Sequence, residues 1–266
     1  MMTTARRRGM LVALTAAILS GFLFTAGVPS ADASISSVER EVWRWINADR
    51  VELGLRPLQA WGKLFSVAEL RASRMASANV MSHTISGSLS SQLRSAGVRS
   101  WSYGENIGYS SYPRGTEAAR HIYRLWRGSP VHWAQITSKR YNYVGVGLAY
   151  RSSNGRTYAS LVFTESPDHT GARAKVTGAT RQGDDVTWTW RGYDVALQTH
   201  TAGFRDFDVQ YRIGYGSFRL LRDNWTGTSL TLWNRTSGHT YGLRVRGTDR
   251  AGNVGAWSPE VRVWVP

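Results

Sequence analysis

The chain has no cysteine, so it can form no disulfide, no thiolate nucleophile, no sulfur-bound metal site and no lipidated N-terminal cysteine. Any reactive chemistry must come from histidine, carboxylate and hydroxyl groups. An imidazole can work near neutral pH as a general base or, unprotonated, as a metal ligand, and the sequence offers six: His83, His121, His132, His169, His200 and His239. The patterns that usually organise such groups are missing. There is no Gly-x-Ser-x-Gly elbow, no His-Glu-x-x-His helix, no phosphate-binding Gly-Lys-Ser/Thr loop and no dinucleotide fingerprint.

Groups this scattered act together only if the fold gathers them. At 266 residues, with 42% hydrophobic and 12% aromatic content, the chain is long enough for two modest domains with their own cores. Ser36 and Glu39 form a capping-box pair ahead of a stripe of Val38, Val42, Trp45 and Ile46, which predicts a helix over about 37–53, with Gly54 as its stop. Leu64, Val67, Ala68, Ala72, Met75 and Ala76 predict a second helix that ends between Asn79 and His83. A third is expected from about Thr116 to Arg127, with Ala119, Ile122 and Trp126 inward, ended by Gly128-Ser129-Pro130. A hairpin follows, with Val144, Val146, Leu148 and Tyr150 alternating, a turn at Asn154-Gly155, and a return over Tyr158–Phe163.

Ahead of these elements stand Arg6, Arg7 and Arg8, a largely apolar run from Met10 to Val28, and Ala31-Asp32-Ala33. This is the plan of a secretory signal peptide cleaved before Ser34, the competing reading being a retained membrane anchor. Export makes nucleic acid an unsuitable partner, and no later segment is apolar enough to span a bilayer. After the third helix and hairpin, the polar, turn-rich segment Glu165–Gly171 is expected to be a linker, and short alternating strands then predict an all-β sandwich of roughly 95 residues. The expected domains are 1–33 as leader, 34–168 and 172–266.

Four short words occur in order in the first domain: Met81-Ser82-His83, Gly104-Glu105-Asn106-Ile107, Trp126 with Ser129-Pro130-Val131-His132, and Val144-Gly145-Val146-Gly147. Together with Asn47-x-x-Arg50 and Gly54-Leu55-Arg56-Pro57-Leu58 they resemble the CAP superfamily of cysteine-rich secretory, venom-allergen and plant pathogenesis-related proteins, in its cysteine-free bacterial branch. The second domain is similar to a fibronectin type III module through Tyr241–Arg246, Asp249-Arg250-Ala251-Gly252-Asn253 and Trp257-Ser258, with Tyr241 as a tyrosine corner. The resemblance implies an α/β fold, a CAP-type α-β-α sandwich, followed by an immunoglobulin-like β sandwich.

It also implies that His83, Glu105 and His132 face one another across a central cleft, a proximity that separations of 22 and 27 residues do not themselves provide. Two neutral imidazoles and a carboxylate could hold a divalent metal such as zinc, His83 and His132 being the nitrogen ligands, and activate a water. Without metal, Glu105 could orient a histidine as general base. A third reading is a buried hydrogen-bonded network that pins the Gly-Glu-Asn turn. Many eukaryotic members of the family that this chain resembles carry a second glutamate where it has Ser129, so a ligand set here would be short by one. The other four histidines, on a helix face or in turns, have no ligand partner at short spacing.

Charge adds a class of partner. The chain carries +15, of which +13 lies beyond the leader, and thirty of its 33 cations are arginine. Spread over both domains, this charge favours anionic wall polymers, acidic glycans or lipid headgroups outside the cell. The expected function is extracellular or cell-surface binding through the cleft. The rivals are a metal- or His/Glu-dependent hydrolase acting on wall, peptide or lipid material, and a spacer protein with no active cleft.

Overall fold

The computed structural model describes residues 35–112 and 114–266; the leader expected at 1–33 lies outside them. The first part consists of α1 (Ser37–Glu52), β1 (Gln59–Ala60), α2 (Gly62–Ala78), α3 (Leu89–Ser95), β2 (Ser102–Ser110), α4 (Thr116–Gly128), α5 (Pro130–Ile136), β3 (Tyr143–Arg151) and β4 (Arg156–Glu165). Its sheet has the order β1-β3-β4-β2, with β1 parallel to β3 and the other pairs antiparallel.

Helices cover both faces of this sheet. On one face α1 and α4 pack Val42, Ile46, Ile122 and Trp126 against Val144, Val146, Leu161 and Phe163. On the other, α2 brings Leu64, Val67 and Ala68 to Tyr143 and Val162. Strand β4, sandwiched between them, is buried from Thr157 to Thr164, the continuous pattern expected of a strand with no wet side.

Two glycines set the closeness of α2. A Cβ at Gly145 would stand 2.1 Å from the backbone carbonyl carbon of Leu64, and one at Gly147 would stand 2.1 Å from that of Ala68. Helix and strand therefore touch main chain to main chain, which only Gly permits.

The capping box forms as expected: Ser36 Oγ accepts from the Glu39 amide, and the Ser36 amide donates to Glu39 Oε2. The other oxygen of Glu39 accepts from the Leu148 amide, so the cap also fixes the start of α1 on β3. The expected Gly-Glu-Asn turn is instead the middle of β2, an edge strand paired along its length with β4. Its sequence, Ser-Tyr-Gly-Glu-Asn-Ile-Gly-Tyr-Ser, lacks alternation because Glu105 and Asn106 are held by hydrogen bonds rather than by water. The Ser-Pro break also restarts a helix, α5, with Pro130 in its first turn, where a missing N–H costs nothing.

The second part comprises β5 (Arg173–Gln182), β6 (Asp185–Tyr193), β7 (Phe204–Ile213), β8 (Arg219–Trp225), β9 (Ser229–Leu232), β10 (His239–Asp249) and β11 (Val261–Val265). Sheets β5-β6-β9 and β11-β10-β7-β8 close over Trp188, Trp190, Phe207, Val209, Leu243 and Val245. Tyr241 forms the tyrosine corner, its hydroxyl accepting from the Thr236 amide at 3.0 Å. This is a fibronectin type III-like sandwich.

The segment expected as a loose linker is tied down. Ser166, Asp168 and Ala172 are buried. The Tyr143 hydroxyl donates to Asp168 and accepts from the His169 amide, and the Asn142 side chain donates to the carbonyls of both Ser166 and Thr199. From the β6–β7 loop, Leu197 enters the apolar cluster of α2, and Gln198 Oε1 accepts from Arg50 and from the Arg56 amide. Sequence patterning misses this because the anchors are single polar side chains with no period.

Candidate functional site

Glu105 lies on β2 and faces α2, with its side chain only 4% exposed. Burying a carboxylate so far costs several kcal/mol unless it is paired and hydrogen-bonded. Arg71, whose side chain is 0% exposed, supplies the charge: Nε donates to Oε1, and Nη2 donates to Oε2 at 2.8 Å and to the His83 carbonyl at 2.6 Å. Ser160 Oγ, from β4, donates to Oε1 at 2.7 Å. His83 Nδ1 lies 2.9 Å from Oε2.

A carboxylate has about four lone-pair directions, and four donors meet this one. An ionised carboxylate can only accept, so His83 Nδ1–H is the donor to Glu105; in the neutral imidazole Nε2 is then the acceptor, on a ring that is 58% exposed. Arg71 is the residue that sequence reasoning passed over. Its signal was its place among Val67, Ala68, Ala72 and Met75, where an arginine on a helix's apolar stripe demands a buried partner.

His132 stands apart from this set. Its Nδ1 is 2.9 Å from Ser129 Oγ, and its carbonyl accepts from Asn106 Nδ2 at 3.0 Å. Burial, reinforced by the nearby His83, moves its pKa below the ordinary imidazole value. Ser129, at the place where the resemblance leads one to seek a second glutamate, thus orients the histidine as a neutral partner.

The three candidates do not gather as a metal set. All four lone-pair directions of Glu105 have donors, and His83 and His132 alone are too few for a zinc centre, which takes three or four protein ligands. The residues present do not fit that metal. Among the described residues, the trio of possible ligands with donor atoms within 4.8 Å of one another is Asp168, Asp194 and Asp249, in the second part of the chain and its approach. Burial and the neighbouring carboxylates raise the pKa of Asp194.

Beside His132 opens a groove of about 620 Å³ between β2 and α4. Its walls include Met81, Ile107, Tyr109, Tyr112, Leu125 and Trp126, and its polar groups are Ser110, Ser111, His121, Ser129 and His132. Trp126 is fixed by an indole N–H bond to the Ile107 carbonyl, and His121 lies 3.0 Å from Ser110 Oγ. Met81, Tyr112 and Leu125 are each about half exposed at its mouth.

The sequence model of the Cysteine-rich secretory protein family matches residues 43–164, the span that contains Arg71, His83, Glu105, His132, Ser160 and the groove. Residues 43–164 form a CAP domain. The chain is 29% identical over 126 residues to the uncharacterized protein YkwD of Bacillus subtilis (strain 168), an alignment that covers 47% of each chain. It thus spans about half the length of the curated relative it matches. Among solved structures it is similar to an extracellular protein containing an SCP domain from Bacillus anthracis strain Ames, with a TM-score of 0.42, 21% identity, and coverage of 48% of this chain and 40% of that one. The C-terminal sandwich is similar to an Fn3-like protein from Clostridium thermocellum, with a TM-score of 0.24, 20% identity, and coverage of 36% and 90%. Within the CAP domain, then, the histidine–glutamate pair is joined by a buried arginine.

Proposed function

We propose that this protein acts outside the cell and binds an apolar or amphipathic ligand in the groove between β2 and α4 of its CAP domain. The observation that carries the reading is the groove itself: an open apolar wall of about 620 Å³ with neutral His132 and Ser129 at one end, where a ligand's polar group would be received. Half-exposed Met81, Tyr112 and Leu125 would lose water on binding, at about 25 cal/mol per Å² of apolar surface covered.

Titration with a dansyl-labelled undecanoic acid tests this. Saturable fluorescence enhancement, displaced by unlabelled palmitate and weakened by Leu125→Arg or Met81→Glu, is expected. Non-saturable enhancement that is the same in wild type and variants would reject it.

A second reading draws on a different atom. With Nδ1 held by Glu105, His83 presents Nε2 as a proton acceptor at an exposed position, which is the geometry of a general base. Turnover of p-nitrophenyl esters that is abolished by His83→Ala, and retained in Leu125→Arg, would favour hydrolysis over simple binding.

A further inference from the structure

Helix α4 has a second lined face. On the side away from the apolar groove, Arg120, Arg124 and Arg127 follow one another at i, i+4 and i+7, and with Trp45, Ala48 and Asp49 of α1 they border a separate groove of about 530 Å³. Like charges at this spacing repel along a helix. The groove's one acid, Asp49, is already engaged, accepting from the Tyr123 hydroxyl and from Arg127 Nε through the same oxygen. Arg120 and Arg124 form no salt bridge among the described residues.

The arginines are also placed for recognition. The Arg120 guanidinium lies over the Trp45 ring at 5.1 Å, and that of Arg127 lies over Trp133 at 5.8 Å. Lying over a ring face steadies the Arg120 guanidinium while leaving its N–H edge free to pair with an oxyanion through two bonds; Arg127 Nε already donates to Asp49. The Trp45 ring, itself 5.8 Å from that of Tyr123, gives the groove an aromatic floor.

We propose that the α1–α4 groove is a binding site for an anionic saccharide chain, its carboxylate, sulfate or phosphate groups paired with Arg120 and Arg124 and a sugar ring laid on Trp45. An α-helix rises about 1.5 Å per residue, so these two arginines offer charges roughly 6 Å apart, suited to a repeated anion rather than a single one. A polymer fits better than a bilayer surface. None of the residues bordering this groove is a large exposed apolar group, whereas the apolar groove across α4 has Met81, Tyr112 and Leu125 at its mouth. The site is independent of the apolar groove and of the reading attached to it.

The test is an anisotropy titration of a fluorescein-labelled heparin oligosaccharide with the full chain at several salt concentrations. The double substitution Arg120→Glu/Arg124→Glu is expected to weaken binding roughly tenfold or more and to lower the slope of log affinity against log salt by about two. Arg173→Glu/Arg219→Glu places the same charge change on exposed arginines of the sandwich and should leave affinity within about twofold. Arg120→Lys keeps the charge but loses the stacked fork, and should bind several-fold more weakly than wild type. Equal losses from the two double variants, no saturable binding, or capture by phosphatidylglycerol vesicles without binding of the oligosaccharide would each overturn the proposal.

Discussion

Arg71 of α2 grips both carboxylate oxygens of Glu105 on β2, and the same guanidinium holds the His83 carbonyl. One buried cation therefore ties a helix, an edge strand and the loop carrying the exposed imidazole.

Removing either partner would strand the other. Arg71→Met should destabilise the CAP domain by about 3–5 kcal/mol, the usual cost of leaving a buried charge unpaired. The double change Arg71→Met/Glu105→Leu should recover part of that loss, because an apolar pair needs no counter-charge. Urea unfolding of the two single variants and the double variant measures the coupling; additive effects would mean that the pair does not act as a unit.

Stability should fall in mild acid. Burial lowers the pKa of His132 and of His169 from the ordinary 6.5, so the unfolded chain binds more protons than the folded one just below that value. Stability then rises with pH through this window, and is lost as pH falls from about 6.5 toward the lowered folded values. Thermal melts between pH 5 and pH 8 should show this slope, and His132→Asn/His169→Asn should flatten it.

The seam between α2 and β3 should resist even one methyl group. Gly145→Ala is expected to cost about 1–3 kcal/mol or more through overpacking, since the obstacle is backbone rather than a movable side chain. Gly155→Ala meets nothing within 4 Å and suffers only from its positive φ of 69°, so it should cost about 1 kcal/mol. Chemical denaturation ranks the two; equal costs would show that α2 can yield.

Leu197 should behave as a core residue of the CAP domain although it belongs to the sandwich's β6–β7 loop. Leu197→Ala is expected to cost about 2–4 kcal/mol. Residues 34–168 expressed alone should melt below the same part in the full chain, since Arg50 and Asn142 lose acceptors at Gln198 and Thr199. Residues 172–266, with their own Trp188–Phe207–Leu243 core, should fold unaided. Calorimetry of the pieces and the whole decides it.

The main helices, the β3–β4 hairpin and the sandwich core were legible because each repeats an apolar residue at period 3.6 or 2. Strand β2, helix α5 and the anchored segment at 166–172 were not, because each is set by single residues without a period: the polar contacts of Asn106 with His132 and of Tyr143 with Asp168, and the fixed backbone of Pro130 at a helix start. The site was half legible. Motif order pointed to His83, Glu105 and His132, but only the structure shows that Arg71 and Ser160 complete the carboxylate's shell and that Ser129 takes His132 aside.

Gly145 and Gly147 carry a consequence for how this chain tolerates change. Where side chains separate a helix from a sheet, every substitution between them resets the gap, and groups mounted on the helix drift with it. Here the gap is set by main-chain atoms in contact, whose size no substitution elsewhere alters. The helix that carries Arg71 is thereby seated on β3 at a distance that repacking of side chains elsewhere does not reset.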